Sequence, residues 1–358
     1  MSTPTLRWPA FQRVLWLFVA LLVACGDRPA ENLTSSKPPT ATAQTPSATA
    51  PLSAALPSPF ASVFPQAASA PTVPASAIVL PSGPVVQAPA PKITRPFLYE
   101  VKGKKGSGFL FGTMHMAVDA DRELPPEVFE KLDAAKVVLF EADVFSLGPA
   151  DVAKIGFLKP GDPTVKSQLT PEHWTLLVDK IGGILMPESA LEKMKASMLA
   201  GMLEQSMIAA STPIDKVLFD RAESKKKEVG FLESVDTQVI VMDKVITPAA
   251  LDEALSDLPK AERQVQELVR AYREGDEVAV AAVVFDPEEM KKHPAATEDM
   301  LWKRNRSWIP ELEKRIDAGN VFVAVGAAHL IGKDSVVELL TKKGYTIKRV
   351  ELAPSSPN

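Results

Sequence analysis

Two segments of the chain carry the same four-residue pattern at the end of an apolar run. In 108-GFLFGTMHM-116, Gly112 precedes His115 by three positions; in 320-NVFVAVGAAHLIG-332, Gly326 precedes His329 by three. The chain has only four histidines, so half of them close a G-x-x-H arrangement. Two further apolar runs, 137-VVLFEAD-143 and 228-EVGFLES-234, end in carboxylates, Glu141 and Glu233. Imidazole and carboxylate are suitable ligands for a divalent metal, and an open position in such a site can hold an activated water. They are also side chains that carry protons in catalysis. A single histidine behind a strand is more often a hydrogen-bonded structural residue, and the glutamates could instead cap helices or pair with Arg304. The repetition over four runs is what points to one shared site. The small glycine lets the backbone turn tightly before each histidine, or lets a ligand come close.

These residues need a scaffold that brings the four runs side by side. The segments 97-FLYEV-101 and 108-GFLFGTMH-115, with a Gly/Lys turn between them, predict a hairpin. Pro residues early in 124-LPPEVFEKLDAAK-136 and apolar Val128, Phe129 and Leu132 predict a helix. The buried strand 137–143 follows, which completes a strand–helix–strand unit. Pro171 to Glu223 reads as mostly helical, 228–234 as a strand, and 248–318 as helical with breaks near Asp286-Pro287 and His293-Pro294. The end of the chain reads as strand, helix with a glycine stop, strand. Buried strands alternating with helices predict an α/β fold: a central mixed sheet with helices on both faces and long helical inserts. In such sheets the functional crevice lies beyond the carboxyl ends of the strands, where His115, Glu141, Glu233 and His329 all fall.

The N-terminus has a different purpose. Arg7 and Arg13 precede 14-VLWLFVALLVA-24, an apolar run too short to span a bilayer comfortably. It ends in 22-LVAC-25, which resembles the lipobox of bacterial lipoproteins. That resemblance implies a signal peptide over 1–24 and a lipidated Cys25 (palmitate among its acyl chains) that anchors the protein in the bilayer of the cell envelope. Gly26, in place of the Asp linked to inner-membrane retention, implies the outer membrane facing the periplasm for a Gram-negative host. From Leu33 to Ala90 the only charged residue is Lys37, and Pro, Ala, Ser and Thr dominate. Residues 25–95 therefore read as a disordered tether, with a reach on the order of 200 Å at most. The folded domain is expected over 96–353, with a tail over 354–358. One cysteine excludes an internal disulfide framework, and a net charge of −4 argues against nucleic acid as a partner.

Three ordered blocks of the folded domain resemble the TraB/GumN family, which is related to the animal Tiki proteins. They are FGTMHM with LPPEVFEKLDAAKVVLFEAD, then VGFLESVDTQV, then LWKRNRSWIPELEKRIDAGNVFVAVGAAHLIGKDSVVELLTKKGYTIKRV. The resemblance implies an architecture shared with erythromycin-esterase-like and ChaN-like proteins. Because the Tiki members are metal-dependent proteases, it also implies a divalent cation (Mn, Co or Zn) held by His115, His329 and Glu141. One of Glu141 and Glu233 then serves as general base, Arg304 stabilises an oxyanion, and Asn305 orients substrate or a ligand. The expected function is a metal-dependent hydrolase of peptide or amide bonds, acting on a peptide or protein. The alternative is a non-catalytic lipoprotein that binds a peptide, haem or metal in the same pocket. Elsewhere the reading is structural. His173 and His293 are expected on the surface, Met194, Met198, Met202 and Met207 on a packed helix face, and Lys225–Lys227 at a solvated helix end. Asp143 and Gln238 are weaker candidates for the site, read first as a helix cap and a surface contact, and Asp215 is expected as a helix cap.

Overall fold

The apolar runs do form adjacent strands. The computed structural model describes residues 93–182, 186–208 and 211–352. The signal peptide, Cys25, tether residues 25–92 and the C-terminal tail read from the sequence lie outside the described residues; of the expected tether, 93–95 are described, and Ile93 is buried with its N–H donating to the Glu123 carbonyl. The strands are β1 (Leu98–Lys102), β2 (Ser107–Thr113), β3 (Val137–Phe140), β4 (Glu228–Phe231), β5 (Val321–Gly326) and β6 (Thr346–Arg349). They form one sheet in the order β4-β3-β5-β2-β1-β6. β5 is parallel to β2 and to β3, β3 is parallel to β4, and β1 is antiparallel to β2 and β6. Only β1 therefore runs against the rest, and the sheet is mixed, as expected from the sequence.

The hairpin of β1 and β2 is present, with Leu98 opposite Phe111. The strand–helix–strand unit is also present, through α1 (Pro126–Ala134), whose Val128 and Leu132 are buried. Its two strands, however, are not neighbours. β5, from the far end of the chain, lies between β2 and β3. The reason is in its composition: all six residues of VFVAVG are buried, as suits a central strand covered on both faces. The insertion puts the carboxyl ends of β2, β5, β3 and β4 in one row.

The helices that surround this row are α2 (Ala196–Ser206), α3 (Ile214–Ser224), α4 (Val235–Val245), α5 (Leu258–Glu274), α6 (Lys303–Ala318) and α7 (Val336–Lys342). On α2, Met198 and Met202 are buried, as is Met194 just before it, so this face packs as expected. α5 starts at Asp257, whose side chain accepts from Lys260 N–H, and ends at Gly275 in the left-handed conformation (φ 63°). Its Tyr272 hydroxyl donates to the Gly112 carbonyl at 2.8 Å, and the ring stacks on Phe97 at 5.3 Å. The helical insert is thereby pinned to the end of β2. Among the described residues no helix is long and apolar enough to cross a membrane.

Some local expectations need correction. His173 is half-buried and bonded to Asp252 at 2.7 Å, and His293 is half-buried with Nε2 3.9 Å from Glu253. The His173 bond holds two helices together. Lys227 donates to the carbonyls of Asp133 and Ala135 and ties the end of α3 to α1, so the lysine run is not simply solvated.

Neither Gly112 nor Gly326 is among the residues with positive φ, so the motif glycines are not there to permit a special turn. At Gly112 the requirement is space. A Cβ there would meet Ala327 Cα and Phe97 Cβ, each at 2.9 Å. Gly112→Ala is expected to lower stability by roughly 1–3 kcal/mol through overpacking, read as a lower midpoint in denaturant at unchanged slope. An unchanged midpoint would show that β5 and the Phe97 segment can move apart without cost.

Candidate active site

Four strand ends deliver the expected side chains to one place. His115 lies two residues beyond β2, Glu141 directly beyond β3, Glu233 two residues beyond β4, and His329 in the 3-10 turn Ala327–His329 that follows β5. His115, Glu141 and His329 are 6%, 4% and 0% exposed, so every charge here needs a partner within the protein.

Arg304 supplies it. This residue opens α6, directly after a π-helical turn over Glu298–Trp302. Arg304 Nη2 donates to Glu141 Oε2 and to Glu233 Oε1, each at 2.6 Å, and Nε donates to both oxygens of Glu233 at 3.0 and 3.1 Å. Nη1 donates to the Met300 carbonyl at 2.9 Å, within the π-turn itself. One helical turn on, Trp308 donates Nε1–H to Glu233 Oε2 at 3.2 Å and packs against the His329 ring at 4.5 Å. Glu141 also accepts from Gly326 N–H at 2.8 Å and from Gln238 on α4 at 3.1 Å. Gln238 is thus a buried partner of the site and not a surface contact.

Each histidine ring is held through Nδ1. His329 Nδ1 lies 2.5 Å from Asn305 Oδ1, while Asn305 Nδ2 donates to the Asp334 carbonyl at 2.9 Å. The second bond fixes the amide, so Oδ1 must accept, and His329 carries its proton on Nδ1. Its Nε2 lone pair then faces Arg304 Nη1 at 3.3 Å and Glu141 Oε1 at 3.6 Å. His115 Nδ1 lies 2.7 Å from Asp215 Oδ2, and the other oxygen of Asp215 accepts from Thr113 at 2.8 Å. Asp215 sits in the first turn of α3, but Pro213 is the N-cap residue and no side chain caps the helix. The expected helix cap is instead the partner of a site histidine.

The environments push the two imidazoles in opposite directions. Burial drives the His329 pKa down to about 3, and the positive charges of Arg304 and His115 assist, against Glu141. For His115 burial also acts downward, but the Asp215 charge, its hydrogen bond and the Glu141 charge outweigh it, so the pKa is raised. Glu141 is held down to about 2 although burial acts upward. The His329 contribution to that shift exists only for the imidazolium; with His329 neutral, Arg304, the His115 cation and the Gly326 N–H carry it. Burial raises Glu233, with Arg304 opposing.

Gly326 marks the centre of the arrangement. A methyl group built on it would lie 3.4 Å from Glu141 Oε1, 3.5 Å from His115 Nε2 and 3.6 Å from His329 Cδ2. The missing side chain leaves a space about one methyl wide among the three residues expected to hold a metal. The donor chemistry fits a divalent cation: two imidazoles, each braced at Nδ1 by an oxygen acceptor, and one ionised carboxylate. Among the described residues, however, no three or more His, Cys, Asp or Glu side chains already stand at ligand spacing, and Arg304 occupies the Nε2 side of His329.

The structure thus brings together all six residues singled out in the folded domain: His115, Glu141, Glu233, Arg304, Asn305 and His329. Thr113, Asp215 and Trp308 were not anticipated there. Trp308 had a signal, since it lies four residues from Arg304 on one helix face. Asp143 remains apart, capping no described helix; one of its carboxylate oxygens is buried without a partner.

An α/β sheet with paired G-x-x-H histidines at its strand ends defines the class, and comparison with family models assigns it. Residues 97–349 match the TraB/PrgY/gumN family, and the chain belongs to that family. Comparison with curated proteins and with solved structures returned no match.

The pKa directions fix an acid response. Between pH 6.5 and about 3 the unfolded chain binds a proton that folded His329 refuses, so stability falls as pH falls through that window. Glu141 acts with the same sign, its contribution being present above its ordinary value of 4.5 and lost toward about 2. Glu233, raised by burial, acts with the opposite sign above 4.5, so the midpoint in denaturant is expected to fall chiefly between pH 4.5 and 3, where His329 and Glu141 act together. In an NMR titration the folded His329 ring is expected to stay neutral from pH 6.5 to 4.5; an imidazole that titrates in that range would show that burial does not hold it in the neutral form. Asp215→Asn is expected to shift the His115 titration to lower pH in an NMR titration; an unmoved curve would mean that Asp215 does not carry the elevation.

Proposed function

We propose that this chain is a hydrolase of peptide or amide bonds that uses a divalent cation. The observation that supports it most is the methyl-sized space at Gly326, bordered by His115 Nε2, Glu141 Oε1 and the His329 ring, with both rings braced through Nδ1. His115, His329 and Glu141 are the residues that would hold the cation. Bound there, a divalent cation supplies Lewis acidity to a scissile carbonyl.

The remaining work falls to the chain itself. Asp215 fixes the His115 ring so that Nε2 faces the space, and Asn305 fixes the His329 ring with Cδ2 toward the space and Nε2 toward Arg304 and Glu141. Glu233, its pKa raised by burial, is suited to take a proton at its carboxylate and return it to a leaving amine. Arg304 places a permanent positive charge beside the space, where negative charge develops on an attacked carbonyl oxygen. The anchoring of this activity to the cell envelope through Cys25 is proposed from the sequence alone.

The test is elemental analysis of the purified protein beside a His115→Ala, His329→Ala double variant and Gly326→Ala, together with peptide cleavage with and without chelator. Stoichiometric divalent metal is expected in the parent and none in the double variant. Gly326→Ala should fold yet lose metal affinity, because its methyl fills the space. Parent protein that takes up no Mn, Co or Zn after reconstitution would refute the reading.

A further inference from the structure

β4 is the end strand of the sheet, and it is the strand that runs into Glu233. Its packing differs from that of its neighbours. β3 and β5 are buried almost throughout, whereas Val229, Gly230, Phe231 and Leu232 are only half-buried and Glu228 is exposed. β3 lies on one side, α3 also packs against it, and no strand of the described residues pairs with its other edge. Such an edge is a template for a further strand.

The hydrogen bonds to β3 show which groups that edge offers. Glu228 N–H donates to the Lys136 carbonyl, and Leu232 N–H donates to the Phe140 carbonyl. Successive peptide groups along a strand point to opposite edges, so Gly230 also faces β3. The N–H and C=O groups of Val229 and Phe231 face away from it. Past Phe231 the chain curls inward, with Leu232 and Glu233 N–H both donating to the Glu141 carbonyl. The open edge is therefore continuous with the site: it ends at the carboxylate that Arg304 joins to Glu141.

We infer that the outer edge of β4 docks the substrate as an extended peptide, which pairs with Val229 and Phe231 before crossing the strand ends to the site. This deepens the hydrolase reading and rests on it for the word substrate. The sheet sets the ruler. Glu141 lies two strand spacings, about 10 Å, from the line of a strand added to β4. At about 3.3 Å per extended residue, that is roughly three residues. The cleaved bond therefore lies about three residues from the paired segment, and the substrate needs at least about six residues. Main-chain pairing supplies the affinity, so the sequence of the docked segment is read only weakly apart from proline.

The experiment uses the mature chain and a pool of random decapeptides. Cleaved bonds are read by mass spectrometry in the parent. Binding and amide hydrogen exchange are measured in the His115→Ala, His329→Ala double variant, which holds peptide without cutting it. Slower exchange at Val229 and Phe231, by about ten-fold or more, is expected on adding peptide. Dipeptides and tripeptides should not be cut. Phe231→Pro, which removes an outward N–H and no bond to β3, should abolish binding; decapeptides N-methylated at alternate residues should fail against the unaltered edge. Protected amides with no cleavage by the parent would uphold the docking edge and remove the hydrolase reading. Cleavage of dipeptides as fast as decapeptides, with Val229 and Phe231 unprotected, would uphold the hydrolase and overturn the docking edge. Protection that needs no peptide and grows with protein concentration would assign the edge to a second copy of the chain, and would overturn it too.

Discussion

The ion pair between Arg304 and the two glutamates is the interaction on which the rest depends. Three charged groups lie out of water, and removing Arg304 would leave two buried carboxylates without their shared counter-charge, a loss typically of about 3–5 kcal/mol. Glu141 comes from the end of β3, Glu233 from the end of β4, and Arg304 from the start of α6. The bonds among them lock the helical C-terminal half onto the N-terminal half of the sheet. They also fix what lies beside Arg304: Asn305 follows it and braces His329, and Trp308 one turn later packs on that ring. The π-turn before α6 contributes directly, because its Met300 carbonyl takes one of the guanidinium hydrogens.

The same cluster sets the two histidines apart in charge. The rings belong to like motifs and are both fully enclosed, yet one is driven to the neutral form and the other is favoured as a cation. The difference lies in the acceptor at Nδ1. A neutral amide oxygen at His329 offers no charge to offset burial, whereas a carboxylate at His115 does. Glu141 and Glu233 repeat the division among carboxylates, one held ionised and the other raised.

The α/β architecture, the hairpin and the places of His115, Glu141, Glu233 and His329 were legible because each rests on local pattern. Apolar runs of four to seven residues with a polar residue behind them mark strand ends. Arg304 and Asn305 were legible only through the resemblance to a family. Asp215 was not legible as a site residue and Gln238 only as a weaker candidate, although both bond directly to site residues. They lie 100 and 97 positions from their partners, on the helical inserts, where a short polar residue near a helix start reads as a cap or a surface group. Nor could local pattern place β5 between β2 and β3. An all-apolar strand announces that it is central, not which strands it separates.

That late central strand has a consequence for when the protein can act. His115, Glu141, Asp215 and Glu233 all precede residue 234, whereas Arg304, Asn305 and His329 follow residue 303. A chain emerging N-terminus first carries one histidine and three carboxylates with no counter-charge to gather them. β2 and β3 have no strand between them until Val321–Gly326 arrives. Nothing resembling the finished site can exist on a nascent or truncated chain. Whatever chemistry the finished site performs can begin only when the last strands close the sheet.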